Sequence, residues 1–429
     1  MTAVVEGQDR GVSRITVATA AVRNWKAPIA LGIFAVVSIL LFGVFGRTGT
    51  SSFRLSTDSD LFQLPAAHLP SRAIGILIPI VLALIALYAT WIVSRARRVP
   101  IWIVIVFAVL DLFTFLVWAS VGHTLAIPGM LVSAVSLSVP LIFGSLGGVI
   151  SERVGVVNIA IEGQLLAGAF VAALVASATH VPLLGLVAAM VAGMLVSFLL
   201  AAFSIKYIVD QVIVGVVINV LVTGLTSFLY TQVLSPNQTV LNSPQSFPRI
   251  EIPLLGEIPV IGPVLFDQTI IIYLMYVAVF MVWFGLFHTR WGLRLRARGE
   301  HPQAADTVGI NVNRGRFWNV ALAGAIVGLG GAYFTLSSVP GFTKEMTGGA
   351  GYIALAAVIF GRWDPIRATL AALLFGFSQS LQFALSSIGS PVPSEFMLML
   401  PYVVTIFAVA GLVGRVRGPA ASGKAYVKS

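Results

Sequence analysis

Runs of about twenty apolar residues recur along the whole chain. A hydrocarbon core about 30 Å thick requires roughly 20 apolar residues for each crossing helix. The candidate runs are Pro28–Gly46, Ile74–Val93, Pro100–Val121, Leu125–Ile150, Gln164–Ser177, Pro182–Phe203, Gln211–Val233, Thr269–Phe287, Phe317–Leu336, Gly349–Phe360, Ala368–Leu385 and Phe396–Val413. Gly349–Phe360 is too short to cross alone, so protein or a cavity must surround it. We therefore predict an all-α integral membrane protein, a polytopic bundle of about 10–12 transmembrane helices.

The composition leaves little room for a water-soluble domain. Hydrophobic residues make up 58% of the 429 residues and charged residues 10%, whereas soluble domains carry about 25% charged residues. The chain has no cysteine, which excludes a disulfide scaffold and thiol chemistry. In a membrane protein the net charge of +10 is explained by basic loops on the cytoplasmic side, without any nucleic-acid partner.

The distribution of basic residues predicts the orientation. If the N-terminus is cytoplasmic and the spans alternate, only five of the 26 basic residues lie in outer loops: Arg47, Arg54, Arg72, Arg249 and Lys344. Basic residues near the membrane concentrate on the cytoplasmic side. This division therefore predicts that both termini are cytoplasmic (N-in, C-in).

Glycines and polar residues interrupt the apolar pattern between Gly144 and Gln164. Broken helices expose backbone amides and carbonyls, which is useful only beside a cavity or buried protein. Asn158 and Glu162 are four residues apart and would face the same way if that turn is helical. They either contact a polar solute or form an internal network between helices. A second Gly-rich stretch begins at Gly328, in the corresponding part of the other half of the chain. The candidate pathway residues are Asn158, Glu162, Gln164, Asn219 and Tyr352.

The loop His288–Arg316 has the punctuation of a short helix on the cytoplasmic surface. Gly299 ends one helix, Pro302 suits the first turn of the next, and Gly309 stops it. The alternative is a plain basic loop, which does not require this punctuation. We expect a docking element made of Gly299, Glu300, His301, Pro302, Gln303, Ala304, Ala305 and Gly309.

No complete nucleotide site is present in the sequence. Gly418–Ala425 nearly matches the phosphate loop, but Ala425 stands where a hydroxyl must reach Mg²⁺, and no strand precedes the motif. We therefore expect a solvated basic tail here and no cofactor bound by this chain. Asp111 is the one clear acid within a predicted span. It either contacts an ion or substrate or is satisfied by Thr114 or a neighbouring helix.

Three segments carry a resemblance to a known family. They are Leu146–Phe170 (LGGVISERVGVVNIAIEGQLLAGAF), Arg298–Asn311 (RGEHPQAADTVGIN) and Gly349–Gly361 (GAGYIALAAVIFG). The sequence resembles the permease subunits of bacterial ABC importers for nucleosides, which are related to ribose-type sugar permeases. The likeness extends over about Ser133–Leu385. Gln303 and His301 depart from the usual residues of the family's docking motif.

The resemblance implies specific partners. They are a second related permease, two ATP-binding cassette subunits that hold the ATP, and an extracytoplasmic solute-binding lipoprotein. Gly299–Gly309 would then match the helix that couples the permease to the ATPase. The expected function is half of a translocation pathway for nucleosides in the cell inner (plasma) membrane, without enzymatic activity. The alternatives are a permease for a ribose-like sugar and an ion-coupled secondary carrier that uses Asp111.

On this basis the chain divides into four regions. Residues 1–27 form a cytoplasmic tail, 28–121 extra transmembrane helices, 122–414 the permease core, and 415–429 a basic cytoplasmic tail. The extra helices would carry peripheral contacts rather than the pathway.

Overall fold

The computed structural model describes residues 25–57, 60–389, 392–393, 395–396, 399 and 418–427. The last predicted span, Phe396–Val413, lies outside the described residues apart from Phe396 and Met399. The chain forms two compact units. One comprises Met1–Gly49 and Pro70–Trp118, and the other comprises Thr50–Leu69 and Ala119–Ser429.

The first unit is a small group of apolar helices. These are α1 (Lys26–Ser38), which continues into a π-helical turn (Ile39–Val44), α2 (Ser71–Ser94) and α3 (Ile101–Ala119). Leu31 and Ala35 of α1 pack in one cluster with Leu82 of α2 and Phe107 of α3. The small side chain of Ala35 lets the helices approach closely, as is usual between membrane helices.

The second unit contains most of the helices. They are α4 (Ile127–Arg153), α5 (Ile161–Thr179), α6 (Pro182–Ala201), α7 (Gln211–Leu229), α8 (Gln238–Leu241), α9 (Ile270–His288), α10 (Arg290–Glu300), α11 (Pro302–Thr307), α12 (Val312–Tyr333), α13 (Ala350–Phe360) and α14 (Pro365–Ser387). Further π-helical turns are Ala202–Lys206 after α6, Tyr230–Leu234 after α7, Gly262–Phe266, and Phe334–Ser338 after α12.

Two small sheets join segments between the helices. The strands are β1 (Thr50–Arg54), β2 (Ala67–Pro70), β3 (Thr124–Ala126), β4 (Arg249–Glu251) and β5 (Asp267–Thr269). The first sheet has the order β2-β1-β3, with β1 parallel to β3 and Phe53 opposite Leu125. In the second sheet β4 and β5 are antiparallel, with Ile250 opposite Gln268.

The structure confirms the predicted helical membrane bundle. Within the described residues, ten helices are long and apolar enough to cross a bilayer, counting π-helical turns with the helices they extend. Three of them form the centre of the second unit. In their most apolar 18-residue stretches, 67% of the residues are buried in Ile127–Arg153, and 72% in both Ile161–Thr179 and Val312–Ser338. α13 has only 11 residues, about 16 Å of helix, so it ends within the bundle as its length predicts.

Small residues allow the central helices to pack closely. A Cβ on Gly168 of α5 would lie 2.7 Å from the Gly328 carbonyl oxygen of α12, and one on Gly193 of α6 would lie 2.2 Å from that of Gly324. No side chain fits at these separations. Because lipid tails are as apolar as leucine, close backbone contact of this kind is what holds membrane helices together.

Candidate functional site

The chain leaves helical geometry between α4 and α5. Gly155 has a φ of +97°, which residues with a Cβ rarely adopt, and α5 does not begin until Ile161. Residues 154–160 are therefore non-helical. The Val157 amide donates to Oε1 of Gln211, on α7, at 2.7 Å. Irregular backbone in the membrane needs such protein partners. The Gly-rich stretch therefore interrupts the helix, and a side chain of α7 binds the interrupted backbone.

The Glu162 carboxylate joins this break to the short helix α13. Its Oε1 accepts from the Thr347 hydroxyl at 2.6 Å and from the Gly349 amide at 2.9 Å, and its Oε2 accepts from the Gly351 amide at 2.6 Å. A Cβ on Gly351 would lie 2.3 Å from the Glu162 nitrogen, so only glycine fits there. Glu162 belongs to the first turn of α5, and its carboxylate contacts the N-terminal end of α13. A carboxylate is favoured at helix N-termini.

The other end of α13 is held against the end of α4. The Trp363 indole Nε1 donates to Glu152 Oε2 at 2.5 Å, and Arg153 Nε donates to the Trp363 carbonyl at 2.9 Å. The pair Glu152–Arg153, which follows the Gly-rich stretch in sequence, thus fixes the C-terminal end of α13. We call α13 together with its attachments at Glu162 and Trp363 the clamped half-helix.

Asn158 does not share a helical face with Glu162. Because α5 begins at Ile161, Asn158 lies in the non-helical segment, and the i,i+4 geometry anticipated for these two residues does not form. Asn158 instead exchanges two hydrogen bonds with Gln164, at 3.1 and 3.2 Å, and Gln164 Nε2 also donates to the Ser197 hydroxyl at 3.0 Å. Both amides are fully buried. Their geometry is that of an internal network, the alternative left open by the sequence.

Asn219 and Tyr352 lie beside the same break. Asn219 accepts from the Gly163 amide at 2.8 Å, and its Nδ2 donates to the Ile159 carbonyl at 2.9 Å and to the Tyr352 hydroxyl at 3.2 Å. Tyr352 is 49% exposed, whereas the other four candidate pathway residues are buried. Among the five, Tyr352 is therefore the one that is not enclosed by the rest of the chain.

A cavity of about 120 Å³ lies next to the Glu162 attachment, between α4, α14 and the segments that flank α13. Its polar lining comprises Ser136, Ser338, Thr347 and Gln379. This volume is smaller than that of an engineered cavity of about 150 Å³ that accommodates benzene. Thr347 both lines the cavity and donates to Glu162. No pattern in the sequence indicated the two serines, because isolated serines are common within membrane helices.

The predicted docking element forms α11 and the end of α10. Gly299 is buried against α4, where a Cβ would lie 2.1 Å from the Arg153 carbonyl oxygen. Ala305 is 3% exposed and faces inward, so of the two alanines only Ala304 is available to a partner. Val308, which the sequence analysis missed, is 73% exposed just after α11. The exposed positions of the element are His301, Gln303, Ala304, Thr307, Val308 and Gly309, while Glu300 and Pro302 are half-buried.

A segment near the C-terminus pairs with this element. The Ala421 amide donates to the Gly299 carbonyl at 2.9 Å, and the Ala420 amide donates to Glu300 Oε2 at 3.2 Å. The buried Arg316 donates to the Lys424 carbonyl at 2.9 Å. Ala421 is buried, so this part of the tail is not the solvated segment that its composition suggested.

Asp111 lies in the first unit, on α3. Its carboxylate accepts a hydrogen bond from the Ser38 hydroxyl of α1. The Thr114 hydroxyl donates to the Leu110 carbonyl at 2.8 Å. The neighbouring helix, rather than Thr114, therefore supplies a partner for the acid.

The apolar helices, broken between α4 and α5, define a multi-pass membrane protein. Together with the permease relatives named below, they indicate the inner (plasma) membrane. The model of the family "Branched-chain amino acid transport system / permease component" matches residues 130–409, and the chain belongs to this family. No solved structure matches the chain.

This chain matches nearly the whole length of three curated relatives. The guanosine ABC transporter permease protein NupQ of Bacillus subtilis is 42% identical over 71% of this chain and 97% of its own length. The nucleoside ABC transporter permease protein NupC of Lactococcus lactis is 39% identical over 68% of this chain and 94% of its own length. The putative glucose ABC transporter permease protein TsgC13 of Haloferax volcanii is 35% identical over 67% of this chain and 92% of its own length. These relatives confirm the resemblance to nucleoside permeases, and all three are named as transport permeases rather than enzymes.

Proposed function

We propose that this chain is a permease subunit of an ABC importer and forms half of a translocation pathway for nucleosides. Two relatives at 42% and 39% identity carry guanosine or nucleoside transport in their names. ATP would be bound by two separate cassette subunits, and this chain would bind no cofactor. A second related permease would complete the pathway, and an extracytoplasmic lipoprotein would deliver the solute.

The observation that carries this proposal is a continuous series of contacts from the docking element to Glu162. Gly299 packs on the Arg153 carbonyl, and the Arg153 side chain holds Trp363 at the end of α13. α13 is a short helix whose other end is bonded to Glu162. A displacement of α11 by a partner subunit would therefore be passed to α13 through these contacts. This is a physical link between two sites through a packed element.

The exposed side of α11 is suited to receive an ATPase. Val308 is 73% exposed, and Ala304 beside it leaves room for a close approach. Helix-in-groove recognition uses such a short apolar face.

We further propose that the solute passes the exposed face of Tyr352. The 120 Å³ cavity beside Glu162, lined by Ser136, Thr347 and Gln379, would offer polar groups near this path. An aromatic ring with a free face stacks on any base, which adds about 1–3 kcal/mol per base. The glucose permease among the relatives keeps a sugar substrate as the second candidate.

The docking role is tested with Val308→Arg in the assembled transporter, with Leu293→Arg as the matched control. Leu293 is 62% exposed on α10, so both changes add the same charge at a solvent-facing position. We expect Val308→Arg to lower both co-purification of the ATPase and ATP-driven guanosine uptake at least ten-fold, and Leu293→Arg to preserve both. Equal effects of the two variants would contradict the proposed docking face.

The substrate is tested by competition and by the Tyr352 ring. Uptake of labelled guanosine should be blocked by nucleosides but not by ribose or glucose. Tyr352→Phe should retain uptake because it keeps the ring, whereas Tyr352→Ala should lose about ten-fold or more. Inhibition by free sugars, with no effect of Tyr352→Ala, would favour the sugar permease.

A further inference from the structure

A groove of about 340 Å³ opens between α10 and the N-terminal part of α12. None of its lining residues belongs to the clamped half-helix, and none is one of the docking residues Gly299–Gly309, although Arg298 directly precedes them on α10. The lining includes Trp291, Arg298, Arg314, Gly315, Trp318 and Leu322. The lining thus combines two guanidinium groups with two indole rings.

The guanidinium of Arg298 is held in place by the shape of the groove. A Cβ on Gly315 would lie 2.2 Å from Arg298 Cζ, so the missing side chain provides the space in which the guanidinium lies. Arg298 Nε is buried and, in the part of the chain that the structure describes, has no hydrogen-bond partner. A buried donor without an acceptor is destabilising, and more so when the group is charged. An anion in the groove would provide that acceptor.

The electrostatic environment of Arg298 also favours an anion. Burial lowers the pKa of the Arg298 guanidinium, and the neighbouring Arg294 lowers it further. The groove adds Arg314, a second positive charge, and its described lining contains no carboxylate. An opposite charge close to a partly desolvated cation favours the charged form.

The lining residues on α12 change character with depth. Arg314, Trp318 and Leu322 are spaced by four residues and share one face of the helix. Trp318 is 57% exposed and Leu322 41% exposed, although both belong to the membrane span Val312–Ser338. Charge, then indole, then aliphatic side chain is the order of headgroup, interface and acyl region in a bilayer.

We propose that this groove binds the headgroup of an anionic phospholipid. The phosphate lies between Arg298 and Arg314, and the glycerol region and acyl chains run along Trp318 and Leu322. Basic pockets between membrane helices on the cytoplasmic side are suited to anionic headgroups. The planar guanidinium matches phosphate geometry through paired donors.

The depth of the groove favours a lipid over a soluble partner. Leu322 lies about 12 Å along the helix axis from Arg314, at 1.5 Å per residue, and in the direction of the membrane. A free phosphate would contact the two arginines but would leave the exposed faces of Trp318 and Leu322 uncovered. An acidic side chain of an ATPase subunit would reach Arg314 but not the aliphatic end of the groove.

The test is native mass spectrometry of the assembled transporter with phosphatidylglycerol, phosphatidylcholine or inorganic phosphate added separately. We expect retention of phosphatidylglycerol but not of the other two. Arg298→Gln and Arg314→Gln should each weaken retention about five-fold, the factor that one basic side chain near an anionic lipid surface supplies. Arg367→Gln, at an exposed arginine in the first turn of α14 and outside the groove, is the matched control and should leave retention unchanged.

A second variant tests the geometry without removing charge. Gly315→Ala places a methyl group where the Arg298 guanidinium lies, and this flexible side chain can move aside, so the fold is kept. Retention of phosphatidylglycerol should fall as it does in Arg298→Gln. Equal retention in all variants would overturn the proposal. So would competition by inorganic phosphate, or loss of ATPase co-purification without loss of lipid.

Discussion

Replacing Glu162 with glutamine should release the N-terminal end of α13. The carboxylate accepts three hydrogen bonds, at 2.6, 2.9 and 2.6 Å, and the residue is 9% exposed. A glutamine has one oxygen, so its NH₂ group must face at least one N–H or O–H donor. The substitution therefore removes one bond, leaves one buried donor unpaired, and neutralises the group that accepts the others.

The magnitude follows from these losses. A hydrogen bond to a charged group contributes about 1.5–3 kcal/mol, and a carboxylate at a helix N-terminus contributes about 0.3–1 kcal/mol. With weakening of the remaining bonds, the attachment should lose about 3–5 kcal/mol. Since 1.4 kcal/mol is ten-fold, local opening of α13 should become more than a hundred-fold more frequent. Thr347→Val removes one donor at similar volume and should have a smaller effect, about 1.5–3 kcal/mol.

The assay is hydrogen–deuterium exchange of the purified chain, read over the backbone amides of α13. Amide exchange reports local opening free energies directly. Glu345→Gln is the control, because Glu345 is exposed and lies close in sequence. Unchanged protection of α13 in Glu162→Gln, or an equal effect of Glu345→Gln, would refute the view that this carboxylate holds the half-helix.

Three further substitutions test other contacts. Gly299→Ala places a Cβ 2.1 Å from the Arg153 carbonyl oxygen, so ATP-driven uptake should fall at least ten-fold while the chain still inserts in the membrane; normal uptake would exclude the tight contact. Gln164→Leu leaves the buried Asn158 amide without its partner and should cost about 2–4 kcal/mol, measured as a lower unfolding temperature. An unaltered transition would show that the network does not stabilise the bundle. Asp111→Asn should change ATP-driven uptake less than two-fold, since its carboxylate is bonded to a neighbouring helix; abolished uptake would support a role in ion coupling.

The membrane spans could be predicted from the sequence because lipid imposes one requirement on every crossing segment. About twenty apolar residues must close all their backbone hydrogen bonds within the helix, and composition alone reveals such segments. The short α13 also follows from length, since 11 residues cannot cross. The site of the break after α4 follows from its glycines and polar residues.

The partners of the polar residues could not be predicted. Glu162 and Gly351 are 189 residues apart in the chain, and no local pattern indicates which carboxylate faces which amide. The helical turn on which a shared face of Asn158 and Glu162 depended does not form, because α5 starts after Asn158. The spacing rule therefore did not apply. The inward orientation of Ala305 likewise depends on packing against other elements.

The roles assigned to these residues remain predictions. Their placement favours Tyr352 as the residue that contacts a solute. Asn158, Gln164 and Asn219 form hydrogen bonds within the chain, whereas Tyr352 is 49% exposed. The division into N-terminal extra helices and a permease core and the cytoplasmic location of both termini also remain predictions.

The most direct test of the account is guanosine uptake into sealed vesicles that contain either this chain alone or the chain with its second permease and ATPase subunits. Lipoprotein and labelled guanosine are supplied on one side and ATP on the other. The account predicts uptake only in the complete assembly and only with hydrolysable ATP. Uptake by the chain alone, driven by a proton or sodium gradient, would contradict it.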